Sequence, residues 1–223
     1  IIMKKILFSL LLISSLTFAQ TEKKVGDFHK VTAFDQITVE LISSDENKVI
    51  LSGINSDEVE VINKNGELKL RMPLTNLLKG NQVKAKVYYT DLDAIEANEG
   101  SQISNNDVIK ATNFDIIAKE GAKIDISLDV AKATVKLTSG AIVKTSGTAK
   151  NQDVLVSAGA IYNGKDLTTE QTSISSNAGG EAEVFATEFI DAKARAGSDI
   201  MIYGNPKQVT KKTFAAGHIK IIK

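Results

Sequence analysis

The chain has 223 residues, with 27 basic and 27 acidic side chains and no cysteine. This balanced charge argues against nucleic acid as a partner, because phosphate binding usually leaves a basic patch on the protein. The lack of cysteine excludes a disulfide framework, a thiolate nucleophile, a cysteine zinc site and a lipid anchor on cysteine.

The first 19 residues have the pattern of a secretory signal peptide. Residues 3–5 are a short basic start, residues 6–16 are apolar apart from serines, and Thr17 and Ala19 place small side chains before a cut at Gln20. The apolar run is too short to anchor the chain across a bilayer, and no later stretch is long and apolar enough for a transmembrane helix. We expect residues 1–19 to be removed and the mature chain, with 25 basic and 27 acidic residues, to be exported.

Residues 24–90 alternate apolar and polar side chains, a period of two that is typical of β-strands. Lys64-Asn65-Gly66 predicts a hairpin turn, and Pro73 predicts the end of a strand before a loop over 73–82, with a short helix at 74–78 as an alternative. We interpret this region as irregular rungs or as a small sheet that caps the following structure. The alternating runs cover residues 30–42, 48–53, 59–72 and 83–89.

Residues 91–223 contain seven copies of a glycine-centred phrase. The spacings between successive markers are 21, 19, 19, 20, 18 and 19 residues, a period typical of stacked repeats. In the last copy Ala216 is the marker and Gly217 follows it, because this alignment preserves the alternation of the final residues. The markers are Gly100, Gly121, Gly140, Gly159, Gly179, Gly197 and Ala216.

The residues around each marker predict a strand, a tight corner and a second strand. The residue after the marker is always small, and the positions three after it and five before it are almost all apolar. We expect the corners to stack every ~4.8 Å, where positive φ and crowding by neighbouring corners would both favour glycine. A left-handed hexapeptide solenoid would need three apolar marks per turn, whereas one corner mark is found. The sequence therefore predicts an all-β, right-handed parallel β-helix with residues 20–223 as a single domain.

Three sequence elements follow one another in a distinctive order. The first element, at residues 28–42, reads FHKVTAFDQITVELI. The second, at residues 87–103, reads VYYTDLDAIEANEGSQI, and the glycine corners come next. In this order they resemble the putative auto-transporter adhesins with a head GIN domain, over about residues 24–223. The corners read Glu-Gly-Ser, Glu-Gly-Ala or Ala-Gly-Ser, where members of that family usually have Gly-Ser-Gly. The resemblance implies an exported β-helix of Gram-negative bacteria that acts in adhesion.

Polysaccharide lyases and hydrolases also use right-handed β-helices, so an enzyme is a relevant alternative. A lyase needs a cationic base facing the sugar. The mature chain offers only two arginines, Arg71 and Arg195, and two histidines, His29 and His218, which we expect at the surface. The aromatic content is 5% without tryptophan, so a stacked aromatic platform is not predicted.

A hydrolase needs two carboxylates across the scissile bond. The candidate pairs are expected to lie on the solvated sides of alternating strands. No calcium repeat, nucleophile elbow or phosphate-binding loop occurs in the sequence. We therefore predict no catalytic, cofactor-binding or metal-binding residue. The acidic candidates are Asp91 with Asp93, Asp125 with Ser127, and Glu181 with Glu183.

The sequence predicts a non-catalytic envelope or surface protein that binds glycan or another cell-surface component through a polar lateral face. We expect it to reside in the periplasm, on the outer-membrane surface or outside the cell. The alternatives are a polysaccharide-active enzyme and a periplasmic structural or stress protein without an external ligand. Residues 218–223 are expected to leave an exposed apolar edge, where a second copy or another chain would dock unless a cap covers it.

Overall fold

The computed structural model describes residues 21–222, and the signal-peptide prediction lies outside this range. Eighteen strands belong to one sheet, and two single 3-10 turns, Ser56–Glu58 and Leu74–Asn76, interrupt them. The strands are β1 Thr21–Lys24, β2 Lys30–Ala33, β3 Thr38–Ser43, β4 Lys48–Gly53, β5 Glu60–Lys64, β6 Glu67–Arg71, β7 Val83–Tyr89, β8 Ala94–Ala97, β9 Gln102–Asn105, β10 Ile109–Ala118, β11 Lys123–Leu137, β12 Ile142–Val156, β13 Ile161–Ser176, β14 Glu181–Phe185, β15 Phe189–Arg195, β16 Asp199–Tyr203, β17 Gln208–Phe214 and β18 His218–Ile221.

Strands β8 to β18 form the regular part of a parallel β-solenoid. Segments that precede a corner pair in parallel with their equivalents in the neighbouring turns, and so do the segments that follow a corner. The molecule has about 7 turns with rungs about 19 residues apart, which confirms the predicted parallel β-helix.

The N-terminal part combines both structures that the sequence allowed, rungs and a cap. Strands β2 and β3 form a rung between that of β6 and β7 and that of β8 and β9, so the order in space differs from the order in the chain. Strands β1, β4 and β5 pair antiparallel and cover this end. The predicted hairpin at Asn65-Gly66 is confirmed by the pairing of β5 with β6.

Each corner is a four-residue turn with two residues of positive φ, the geometry of a type I′ turn. At 119–122, Glu120 has φ 55° and Gly121 has φ 71°, and the N–H of Ala122 donates to the carbonyl of Lys119 at 3.1 Å. The N–H of Gly121 donates at 3.0 Å to the carbonyl of Ser139 in the next corner, and equivalent bonds link the later corners.

The predicted crowding applies to the residue after the marker and, apart from Gly100, whose added Cβ would lie 3.2 Å from Gln36 Cγ, not to the marker glycine itself. A Cβ added to Gly121 would meet no atom within 4 Å, so positive φ alone selects glycine there. A Cβ added to Gly180 would lie 2.8 Å from Ser176 Oγ and 2.9 Å from Val156 Cγ1. Because this second position is buried, only small side chains fit it.

Two corners lack the glycine marker. Ala216 has φ 60°, and its place in register below Gly197 confirms the alignment chosen for the last copy. The alternating run predicted over 30–42 is wrong at 34–37, where Asp35 and Gln36 have φ 56° and 65°. The N–H of Gln36 donates at 3.0 Å to the carbonyl of Glu99, which joins this corner to the same ladder.

The apolar positions of the repeat form one continuous core. Within it, the hydroxyl of Tyr162 contacts Thr145 Oγ1 at 2.7 Å and accepts a hydrogen bond from Gln152 Nε2. Burial raises the pKa of Tyr162 well above its ordinary value, although these two hydrogen bonds oppose the shift. Gly164 lies against this tyrosine ring and leaves no room for a Cβ.

The C-terminal end has no covering strand within residues 21–222. Strand β17 pairs only with β15, and β18 pairs only with β16. The predicted apolar edge is present in part, because Ile219 and Ile221 are half-buried and Phe214 is exposed. Lysines nevertheless dominate this last rung: Lys207, Lys211, Lys212 and Lys220.

Candidate functional site

The strand segments that precede the corners present two neighbouring rows of outward side chains, which we call the polar face. Residues of both rows, among them Lys136, Asp153 and Lys193, line a shallow depression of about 200 Å³ on this face. Lys132 pairs with Asp153 at 2.7 Å, and Lys193 pairs with Asp191 at 2.8 Å. The first row is Asp115, Thr134, Asp153, Ser173, Asp191 and Thr210, and the second is Ile117, Lys136, Leu155, Ser175, Lys193 and Lys212.

An ion-pair network occupies the N-terminal part of the same side of the solenoid. Lys30 Nζ lies 3.1 Å from Glu67 Oε1 and 2.7 Å from Glu96 Oε2, and Lys119 Nζ lies 2.8 Å from Glu96 Oε1. Burial alone would raise the pKa of Glu67, but hydrogen bonds from Thr32, Lys30 and Lys69 lower it to about 2. The same balance lowers the pKa of Glu96.

A loop between β6 and β7 at the capped end is hydrogen-bonded to Asp35. The buried carboxylate of Asp35 accepts the N–H of Met72 at 2.9 Å and that of Leu78 at 3.0 Å. Leu74 of this loop is 86% exposed, and Leu77 and Leu78 are exposed as well. Leu78 also has a strained φ of 60°. Two open grooves of about 600 Å³ each adjoin it, one lined by Gln36, Glu120 and Lys123 and the other by Lys69, Arg71 and Leu74.

Glu99 lines both of these grooves. Its pKa is raised, first by burial and then by the negative charge of Asp35. The carboxylate therefore lies where a negative charge is already disfavoured. It has no place among the acidic pairs that the sequence predicted, because its position at a corner follows from the stacking and not from strand alternation.

The predicted pair Glu181 and Glu183 lies on the other side of the solenoid, on the strand segments that follow the corners. There the structure adds Asp199 from the next rung, and the three acids line an open depression of about 350 Å³. Glu183 accepts a hydrogen bond from Tyr203 at 3.1 Å and lies 3.3 Å from Lys165.

The other predicted acids are dispersed over the surface. Asp93 pairs with His29 at 3.1 Å, and Asp125 lies 3.7 Å from Lys144. His218 pairs with Asp199 at 3.3 Å, and the His29 and His218 side chains are 55% and 75% exposed, so both histidines lie at the surface, as predicted. No cluster of three or more His, Asp or Glu side chains in residues 21–222 is arranged to hold a metal ion.

A further groove of about 510 Å³ lies at the C-terminal end, and we call it the terminal groove. Strand alternation does not predict this groove, because the pattern does not distinguish an exposed aromatic side chain from one in the core. Phe214 is 74% exposed there, at a position before the corner that is polar in other copies, such as Ser157. The groove is lined by Asn177, Arg195, Ala196, Lys212, Thr213, Phe214 and Ala215.

Fold and surfaces together define a parallel β-solenoid that presents shallow side-chain surfaces along its flanks. A family model described as "putative auto-transporter adhesin, head GIN domain" matches residues 27–206, and the chain belongs to this family. The two helical turns within residues 21–222 are too short to cross a membrane.

Solved structures with the same fold come from Bacteroides fragilis and Parabacteroides distasonis. A putative adhesin from Bacteroides fragilis is 22% identical with a TM-score of 0.85. A putative adhesin and a putative lipid binding protein from Parabacteroides distasonis are 17% and 16% identical, with TM-scores of 0.74 and 0.70. Each comparison covers 92% of this chain and 96% of the other chain. No curated protein matches the sequence significantly.

Proposed function

We propose that the chain is an exported, non-catalytic envelope or surface protein that binds glycan or another envelope component along the polar face. The proposal includes removal of residues 1–19 and a single domain from 20 to 223. The observation that carries it is the pair of outward rows over six rungs, in which ten of the twelve positions carry hydroxyl, carboxylate or ammonium groups and the other two are Ile117 and Leu155.

The repeat of these rows favours a polymeric partner. Neighbouring strands place equivalent side chains ~4.8 Å apart, so hydrogen-bonding groups recur at a fixed interval along the solenoid. The lateral surface is the usual binding surface of solenoid proteins, because it is their longest continuous one. A glycan chain also carries repeated hydroxyl groups, and the serine, threonine, aspartate and lysine side chains of the two rows can donate to or accept from them.

Co-sedimentation of the chain from Gln20 with insoluble polysaccharides and envelope fractions tests this function. We expect protein in the pellet without released sugar. Exchanging Lys136 and Lys193 for glutamine should weaken binding several-fold, because both side chains line the depression on the polar face. A matched variant with Lys123 and Lys144 exchanged for glutamine, on the opposite side, should bind like the wild type.

A polysaccharide-active enzyme is the second candidate, because Glu181, Glu183 and Asp199 converge from adjacent rungs. A hydrolase needs one carboxyl group to act as an acid and another to act as a base or nucleophile. Glu183 is already engaged by Lys165 and Tyr203, which disfavours the role of a free acid. Sugar release that rises with time and is lost in Glu183→Gln would replace the binding proposal with this one.

Cell fractionation distinguishes adhesion from a periplasmic structural role, because only adhesion requires exposure at the cell surface.

Self-association through the C-terminal edge is a separate part of the proposal, since β17 and β18 each offer an edge for pairing. Two such edges in symmetric contact would bring their lysines together, so a second copy would have to dock here with a different, less basic part of its surface. A sedimentation profile of a single monomeric species would contradict docking of a second copy.

A further inference from the structure

We propose that the terminal groove binds an acidic sugar unit, carboxylated or sulfated, at one end of a glycan. This inference rests on the glycan-binding function proposed above and adds a specific site to it. The groove volume of about 510 Å³ lies within the range of small-molecule sites.

The charge of the groove favours an anion. Its lining includes Arg195 and Lys212 and no carboxylate, whereas each of the four other depressions described above contains at least one acidic side chain. Within residues 21–222 neither cation takes part in an ion pair, although the neighbouring Lys193 pairs with Asp191 at 2.8 Å. Asp199 is also the last acidic residue of the sequence.

The geometry of the groove favours a sugar over a small inorganic anion. Arg195 and Phe214 are register partners on adjacent strands, so their side chains begin ~4.8 Å apart on the same side of the sheet. A guanidinium group binds a carboxylate or sulfate through two parallel hydrogen bonds. The exposed ring of Phe214 offers an apolar surface to the C–H face of the same sugar, and the Asn177 amide can bond a hydroxyl group.

Lipid and single-stranded nucleic acid are less consistent with this site. Insertion into a bilayer interface needs a larger apolar surface than the one exposed phenylalanine of the groove lining. Nucleic acid binding needs a basic path several nucleotides long. Glu181 and Asp199 lie on the strand segments that follow the same corners, and they limit such a path.

Equilibrium titration of the chain from Gln20 with a uronic-acid oligosaccharide and its carboxyl-reduced, neutral form tests the inference. We expect affinity for the acidic form to be about tenfold higher, as one charge-assisted bidentate contact provides. Arg195→Gln should remove this preference, and Phe214→Ala should weaken both forms. Lys110→Gln, an exposed cation far from the groove, serves as the matched control, and unchanged thermal unfolding establishes that the variants fold.

The possible outcomes separate this inference from the proposed function. Equal affinity for both sugars, or an Arg195→Gln variant that keeps the preference, overturns the terminal groove and leaves glycan binding on the polar face intact. Tighter binding of phosphatidylglycerol vesicles or oligo(dT), lost in the same variants, overturns the acidic sugar as the occupant. Failure of the wild type to bind any polysaccharide or envelope fraction overturns the proposed function together with the inference.

Discussion

The two ends of the solenoid terminate in different ways. At the N-terminal end, antiparallel strands β1, β4 and β5 cover the first rungs, and Leu68 and Leu70 are fully buried. At the C-terminal end, β17 and β18 pair on one side only within residues 21–222, and Ile219 and Ile221 are half-buried. In this molecule the end of the parallel stack that is closed is closed by antiparallel strands, which lie outside the repeat.

The capped end also differs in its polar contacts. Asp35 is buried and holds two backbone N–H groups, and Glu67 and Glu96 are partly buried in an ion-pair network. The ion pair of the last rung, Asp199 with His218, is more than half exposed on both sides. Polar interactions should thus contribute to stability at the first end and little at the second.

The largest expected difference concerns core truncation. Leu70→Ala at the capped end should lower the free energy of unfolding by about 3 kcal/mol, because a fully buried leucine leaves a cavity. Ile221→Ala at the open end should cost less than about 1 kcal/mol, because the side chain is already partly in water. Urea denaturation of both variants measures the two values. Equal losses would show that the last rung is covered in solution.

The buried carboxylate comes next. Asp35→Asn should lower the free energy of unfolding by about 2 kcal/mol, because Met72 and Leu78 donate to different oxygens of the carboxylate, and asparagine replaces one of them with an NH2 group and also loses the charge assistance. Asp199→Asn at the open end is the control and should change stability little. Hydrogen exchange at residues 72–80 should accelerate in the first variant only. Unchanged exchange there would refute the role of Asp35 in holding the loop.

Acid should weaken the capped end selectively. Because the folded-state pKa of Glu67 is about 2 and its ordinary value is 4.5, its stabilising effect is present above pH 4.5 and is lost as the pH falls towards 2. Glu67→Gln should therefore cost about 1 kcal/mol at pH 7, after allowance for solvent screening, and almost nothing near pH 2. Denaturation midpoints of both proteins across this range give the difference, and a constant difference would contradict the assignment.

The smallest effect is expected at the last corner. Ala216→Gly should stabilise the protein by about 0.5 kcal/mol, because glycine adopts a φ of 60° without the strain of a Cβ. Gly140→Ala is the reciprocal change and should destabilise by a similar amount, since its added Cβ meets no atom and only the φ preference is lost. Thermal unfolding of the pair measures this, and a loss of stability in Ala216→Gly would be the contrary result.

The regular rungs could be predicted from sequence because each corner needs positive φ and glycine satisfies it most easily. The spacing of 20 residues between Gly159 and Gly179 even reports a real irregularity, the register shift where Gly164 lies against the Tyr162 ring. The corner at Asp35-Gln36 could not be found this way, because tertiary contacts of the Asp35 carboxylate, and not a glycine, stabilise its geometry.

The N-terminal order and the terminal groove were beyond sequence reasoning for different reasons. Alternation shows that β2, β6 and β8 are strands, but it does not show which of them pair with each other. Their order in space therefore depends on the whole fold. Phe214 reads as one more apolar residue of a strand. Its exposure follows only from the absence, within residues 21–222, of a rung beyond it.

Because hydrogen bonds join each corner to the next in the same way, the length of the molecule depends on the number of its rungs. Each corner contacts only its neighbours, so a duplicated unit of about 19 residues inserted after Gly140 would lengthen the body by ~4.8 Å and leave both ends unchanged. Duplication or deletion of rungs can thus change the distance between the leucine-bearing loop at one end and the terminal groove at the other. The distance between these two surfaces can therefore vary without any change in the residues that form them.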